Sequence, residues 1–156
     1  MVTRPGRLAA LATVAAVFGG LLGVIPAQAV EPDIDPPVVT EFTATPNPVD
    51  LSDGDVTMSV RARLADSSGV QSSGAYAYLR SDTTTQSSSG SLKLVEGTYE
   101  DGVWQTEIVI PAGSARGSWT LSLNWVRDTL GNQAPRQYLN VTVGPGGVLQ
   151  AKKPTI

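Results

Sequence analysis

Val56-Thr57-Met58-Ser59-Val60-Arg61-Ala62-Arg63-Leu64 changes character at every step. Val56, Met58, Val60, Ala62 and Leu64 fall on one side of an extended chain, and Thr57, Ser59, Arg61 and Arg63 on the other. A period of two belongs to a β-strand with one face buried and one face wet. The pattern recurs along the chain. Trp104, Thr106, Ile108 and Ile110 alternate, as do Trp119, Leu121, Leu123 and Trp125, and then Leu139, Val141 and Val143. Shorter runs at Val38–Thr45, Ala75–Arg80 and Leu92–Gly97 complete the set. No helical period interrupts them. Seven short strands at intervals of about 8–12 residues predict an all-β fold, an antiparallel β-sandwich of about seven strands.

The segments between these runs are rich in turn formers. Pro46-Asn47-Pro48 ends the first strand, and Asp50-Leu51-Ser52-Asp53-Gly54-Asp55 is a polar turn. Asp82 to Gly90, a Ser/Thr run, reads as an exposed, mobile loop. Glu100-Asp101-Gly102 reads as a turn, its Asp-Gly pair being a strong hairpin signal. The two inner faces are expected to bury Val60, Leu64, Trp104, Ile108, Trp119, Leu121, Leu123 and Val141. Each large side chain so buried contributes roughly 1.5–3 kcal/mol, enough in sum to offset much of the ordering entropy.

Ahead of the sandwich lies a different kind of segment. Arg4 and Arg7 precede an apolar run from Leu8 to Ile25, and Ala27-Gln28-Ala29 offers small residues for cleavage. Residues 1–29 are therefore expected to be a signal peptide, cleaved after Ala29, and the protein to be secreted or held at the cell surface. An uncleaved leader would be its membrane attachment. Val30 to Pro37 is an extended, proline-rich lead-in arm, residues 38–143 the domain, and residues 144–156 a linker or tail.

Removing the leader leaves 127 of the 156 residues, with 9 basic against 14 acidic side chains, a net charge of −5. This acidity argues against nucleic acid as a partner. Cysteine and histidine are both absent. That excludes disulfides, thiol nucleophiles, zinc–thiolate sites and any Ser-His-Asp or Cys-His catalysis within the chain.

Two loops have related sequences. Asp66-Ser67-Ser68-Gly69-Val70 follows the second strand, and Asp128-Thr129-Leu130-Gly131-Asn132 follows the sixth. With Asp35-Pro36-Pro37 and Gly117-Ser118-Trp119, they make the chain resemble the bacterial immunoglobulin-like domains of exported and cell-surface proteins, of cadherin or fibronectin type. The resemblance runs from about Pro36 to Val143 and rests on short, turn-like motifs. It implies an immunoglobulin-like sandwich and a noncatalytic spacer, adhesive or protein-binding role.

In a sandwich of this kind the lead-in and the loops after strands two and six share one end. Asp35, Asp66 and Asp128 are then expected to converge, and loop carboxylates suit Ca²⁺. The other reading is turn chemistry, in which each Asp accepts backbone N–H bonds. Tyr76 and Tyr78, with Tyr99, are candidate ligand contacts for a sugar ring, which gives a carbohydrate-binding accessory domain as the alternative function. Glu96, Glu100 and Glu107 form no recognisable acid/base pair, so an enzyme is not expected. The expected partner is a protein or a cell-surface glycan.

Overall fold

The computed structural model describes residues 31–145, so the expected leader and most of the tail lie outside the described residues. Among the described residues there is no helix. Eight strands follow one another: β1 (Val38–Thr45), β2 (Val56–Ala65), β3 (Tyr76–Ser81), β4 (Ser87–Ser91), β5 (Lys93–Gly97), β6 (Asp101–Ile110), β7 (Gly117–Asn124) and β8 (Gln137–Val143). They form two four-stranded antiparallel sheets, ordered β1-β2-β6-β5 and β4-β3-β7-β8. The architecture is an all-β sandwich.

The β2 alternation sets the register of the first sheet. Val60 faces Thr106, Ala62 faces Trp104 and Leu64 faces Gly102 across the β2–β6 pair. In the second sheet Leu79, Leu121 and Leu139 form one inward row. All eight residues expected in the core are buried, and Trp104 is the largest of the fully buried side chains. The Trp119 indole N–H donates to the Ala115 carbonyl at 2.9 Å. Trp104 Nε1 has no hydrogen-bond partner among the described residues.

After β1 the chain crosses between the sheets. The Val49 N–H donates to the Thr142 carbonyl at 2.8 Å, and the Gly144 N–H donates to the Val49 carbonyl at 2.7 Å. Asn47 grips β8 in both senses: its Nδ2 donates to the Asn140 carbonyl, and its Oδ1 accepts from the Thr142 N–H. The Pro46-Asn47-Pro48 segment thus joins one sheet to the edge of the other.

Part of the expected Asp82–Gly90 loop is a strand instead. Ser87 to Ser91 pair with Arg80 to Tyr76 along the whole length of β4. Serine and glycine have little preference for strands, and tertiary pairing overrides that. At one position a side chain is excluded. A Cβ on Gly90 would stand 2.4 Å from Thr106 Oγ1. The Ser88 hydroxyl donates to the Val109 carbonyl, tying the same strand to β6. The run is polar because β4 is a wet edge, and its glycine sits where the chain lies close to Thr106.

Two boundaries also move. Asp101 and Gly102 belong to β6, and the chain turns at Thr98–Glu100. The strand expected to include Trp125 stops at Asn124, and Trp125 is 51% exposed.

Candidate functional site

The end of the sandwich below the lead-in arm is fastened by carboxylates. Asp33, Asp66 and Asp128 each place one carboxylate oxygen within 4.8 Å of the other two. Asp66 and Asp128 thus converge as the sequence suggests, but the arm supplies Asp33 where Asp35 is expected. Prolines on both sides hold the arm extended. Asp35 stays exposed and turns back only its N–H, which donates to Asp33 Oδ1 at 3.0 Å.

Each of these acids accepts bonds from nearby groups. Asp66 Oδ1 accepts from the Ser68 N–H and hydroxyl. Asp33 Oδ2 accepts from the Ser67 hydroxyl. The buried Asp128 is the best satisfied. Its Oδ1 accepts from the N–H of Leu130 at 2.9 Å and of Asn132 at 2.7 Å, and its Oδ2 accepts from Asn132 Nδ2 at 2.6 Å. Gly131 takes the left-handed position in that turn, with φ of 97°, which frees Asn132 to spend its side chain on Asp128. The two loops are also joined to each other, since Thr129 donates from its N–H to the Gly69 carbonyl and from its hydroxyl to that of Ser68. Turn chemistry accounts for the bonds that Asp66 and Asp128 accept within their own loops, whereas the Ser67–Asp33 and Thr129 bonds tie separate segments together.

Burial pushes the Asp128 carboxyl up, but the Asn132 side chain and the N–H groups of Asn132, Gly131 and Leu130 outweigh it and hold the group below its ordinary value. The sign follows. A carboxyl whose pKa is lower in the folded state stabilises the fold above the unfolded pKa, and that contribution is lost as pH falls through the folded one. Melting temperature is expected to be flat near neutrality and to fall below about pH 4. In Asp128→Asn the acid limb is expected to flatten and the neutral-pH melting temperature to drop. Two oxygens accept here, and an amide offers one. A pH series of thermal melts on both proteins checks this.

A second concentration of chemistry lies on the outer face of the β4-β3-β7-β8 sheet. Alternation sends Ala77, Leu79, Leu121 and Leu123 inward, so Tyr76, Tyr78 and Arg80 of β3 point outward beside Asn124, Ser122 and Thr120 of β7. On the next strand Tyr138 is paired with Ser122. One row across the sheet therefore reads Tyr78, Ser122, Tyr138, a small residue between two phenols. Ser122 makes the floor: its hydroxyl donates to the Tyr78 carbonyl and accepts from Asn124 Nδ2.

Trp125 extends this face. Its place in the alternation sends it inward, but its φ of 54° is left-handed, and its ring lies 5.5 Å from that of Tyr76. For a bulky residue such a conformation costs on the order of 1–3 kcal/mol. A cleft of about 420 Å³ opens among Tyr76, Tyr78, Asn124, Trp125, Arg136 and Tyr138. A second, of about 430 Å³, adjoins it between Tyr78, Tyr138, Arg80, Asp82 and Thr120.

Of the aromatic candidates read from sequence, Tyr76 and Tyr78 are on this face. Tyr99 is elsewhere, with its ring 5.8 Å from that of Trp104. Trp125 and Tyr138 escape a reading by strands alone. The outward phase of Tyr138 against Leu139 and Val141 is visible in the sequence, but its position opposite Ser122 is set by cross-strand register. Comparison with known proteins finds no matching family model, no matching characterised protein and no matching solved structure.

Proposed function

We propose that this chain is a noncatalytic, exported module of immunoglobulin-like type, acting as a spacer, adhesive or protein-binding unit outside the cytoplasm. Its contact surface is the outer face of the second sheet. The observation that carries this reading is the gathering of Tyr76, Tyr78, Trp125 and Tyr138 around a small polar floor. Large aromatic side chains left partly exposed together, with polar groups at their edges, are what binding surfaces use as anchors. The outer face of the other sheet differs. It carries Arg61 and Arg63, the latter bonded to Asp101 at 2.8 Å, and reads as a solvated face. The pairing of a β1-β2-β6-β5 sheet with a β4-β3-β7-β8 sheet supports the resemblance to immunoglobulin-like sandwiches. The Arg4 to Ala29 pattern supports export.

Amide hydrogen exchange of the full chain, alone and with an extract of cell-envelope material, tests the contact surface. Protection confined to β3, β7, β8 and the Trp125 segment is expected. Unchanged exchange on that face, or protection only on the first sheet, would overturn the reading.

The three convergent carboxylates favour one addition, a Ca²⁺ ion as a pin between the arm and the two loops. Among the described residues no lysine or arginine pairs with any of them. Asp33, Asp66 and Asp128 would supply three of the six or more oxygens such an ion takes. Millimolar Ca²⁺ is then expected to raise the melting temperature, EDTA to reverse the rise, and Asp66→Ala to abolish it. Identical melts with Ca²⁺ and with EDTA leave the carboxylates to turn chemistry alone.

A further inference from the structure

We infer that the ligand of this face is an oligosaccharide, held in a groove of two adjoining subsites. The inference rests on the binding-module reading and names the chemistry of its ligand. The two clefts share Tyr78, Ser122 and Tyr138. They therefore adjoin across a Tyr-Ser-Tyr row, an arrangement suited to a chain of linked rings.

The chemistry of the lining selects the ligand. A sugar ring presents apolar C–H faces above and below and hydroxyls around its rim. The groove offers the complement of both. Aromatic rings of Tyr76, Trp125, Tyr78 and Tyr138 supply flat apolar surface at low entropic cost. Asn124 and Arg136 supply side-chain hydrogen-bonding groups in one subsite, and Arg80, Asp82 and Thr120 in the other. Donors and acceptors are both present, as hydroxyls require. Asp82 is already oriented, with its Oδ1 accepting from the Thr120 hydroxyl at 2.8 Å.

The strands themselves present only polar and aromatic side chains here. The outward positions of β3, β4, β7 and β8 carry tyrosine, serine, threonine, asparagine and arginine, and no aliphatic side chain.

Trp125 is the second line of support. Its left-handed backbone and half-exposed indole are unfavourable for the fold alone, and the indole lines the groove. A strained residue that the core does not use points to a use at the surface. Glycine at this position would remove the strain and the ring together. A purely structural tryptophan would be missed by the fold, and a ligand platform would not.

The test is titration of the full chain with hexasaccharides of glucose, xylose, mannose, N-acetylglucosamine and a uronic acid, followed by calorimetry. Saturable binding of at least one is expected, with the matching disaccharide weaker because it fills one subsite. Trp125→Gly is expected to keep or raise the melting temperature and to weaken binding at least about tenfold. Tyr138→Ala, at a side chain 64% exposed, is expected to fold normally and weaken binding by a similar factor. No saturable binding at millimolar sugar overturns the inference, as does unchanged affinity in both variants. Should envelope protein protect the face in the exchange experiment while no sugar binds, the oligosaccharide falls and the binding-module reading stands.

Discussion

Trp104→Ala is expected to destabilise the sandwich by about 3–5 kcal/mol, the usual cost of emptying a buried indole site. A small domain has roughly 5–15 kcal/mol in all, so this one change brings it close to unfolding. Trp104 sits on β6, which lies between β2 and β5, opposite Ala62 on one side and Leu94 on the other. Ala62 is too small to fill the space, and with no cysteine in the chain no disulfide limits the damage. The indole N–H makes the site informative in a second way. It is buried without an acceptor among the described residues, a cost of about 1–3 kcal/mol. Trp104→Phe removes that N–H, which offsets a cavity cost on the order of 1 kcal/mol, and keeps an aromatic ring near Tyr99. Phenylalanine is thus expected to be nearly neutral at Trp104. At Trp119 it is expected to cost about 1 kcal/mol more, because the Ala115 carbonyl loses its donor. Urea unfolding of the three variants decides this, and equal costs for the two phenylalanines would contradict it.

The core was readable from sequence because burial and alternation are the same fact seen twice. Val60, Leu64, Ile108, Leu121 and Val141 each lie in phase with apolar neighbours, and each is buried. β4 was not readable. Ser87 to Ser91 form a strand because Tyr76 to Arg80 are there to pair with, and at Gly90 Thr106 leaves space for little more than hydrogen. Neither fact is local to the serine run. Trp125 fails for the opposite reason. Its phase is right for the core, but β7 ends one residue earlier and a positive φ carries the ring away.

The same distinction applies to the candidate sites. Asp66 and Asp128 were identifiable because each opens a turn whose following glycine and polar residues show where its oxygens go. Asp33 and Asp35 stand two residues apart in an arm without periodicity, and nothing in the local sequence says which faces the loops. Tyr76 and Tyr78 were visible as a pair on one strand. The groove was not, since it needs Tyr138 from 60 residues further along the chain, set beside Ser122 by the β7–β8 register.

Gly102→Ala is the second large effect expected, and it reverses a common rule. Replacing glycine by alanine usually stabilises a protein by about 0.4–1 kcal/mol when the backbone conformation suits both. Gly102 is not among the glycines with positive φ, so its backbone raises no objection. Space does. An added Cβ would stand 2.4 Å from the Thr98 carbonyl oxygen, 2.4 Å from Leu94 Cδ1 and 2.9 Å from the Glu96 carbonyl oxygen. Two of those three atoms are backbone and cannot swing away. They come close beside the point where the β5–β6 register shifts, between Leu94 and Glu96. The Asp-Gly pair that reads as a turn is therefore a close approach within a strand, and Gly97, with φ of 82°, is the residue that bends the hairpin. Overpacking of this kind costs about 3 kcal/mol or somewhat more. Gly113→Ala is the control, because nothing lies within 4 Å of its Cβ and its φ is not positive. Gly113→Ala is expected to be neutral or slightly stabilising and Gly102→Ala to lower the urea midpoint sharply. Matching midpoints would mean that β5 does not press on β6 as described.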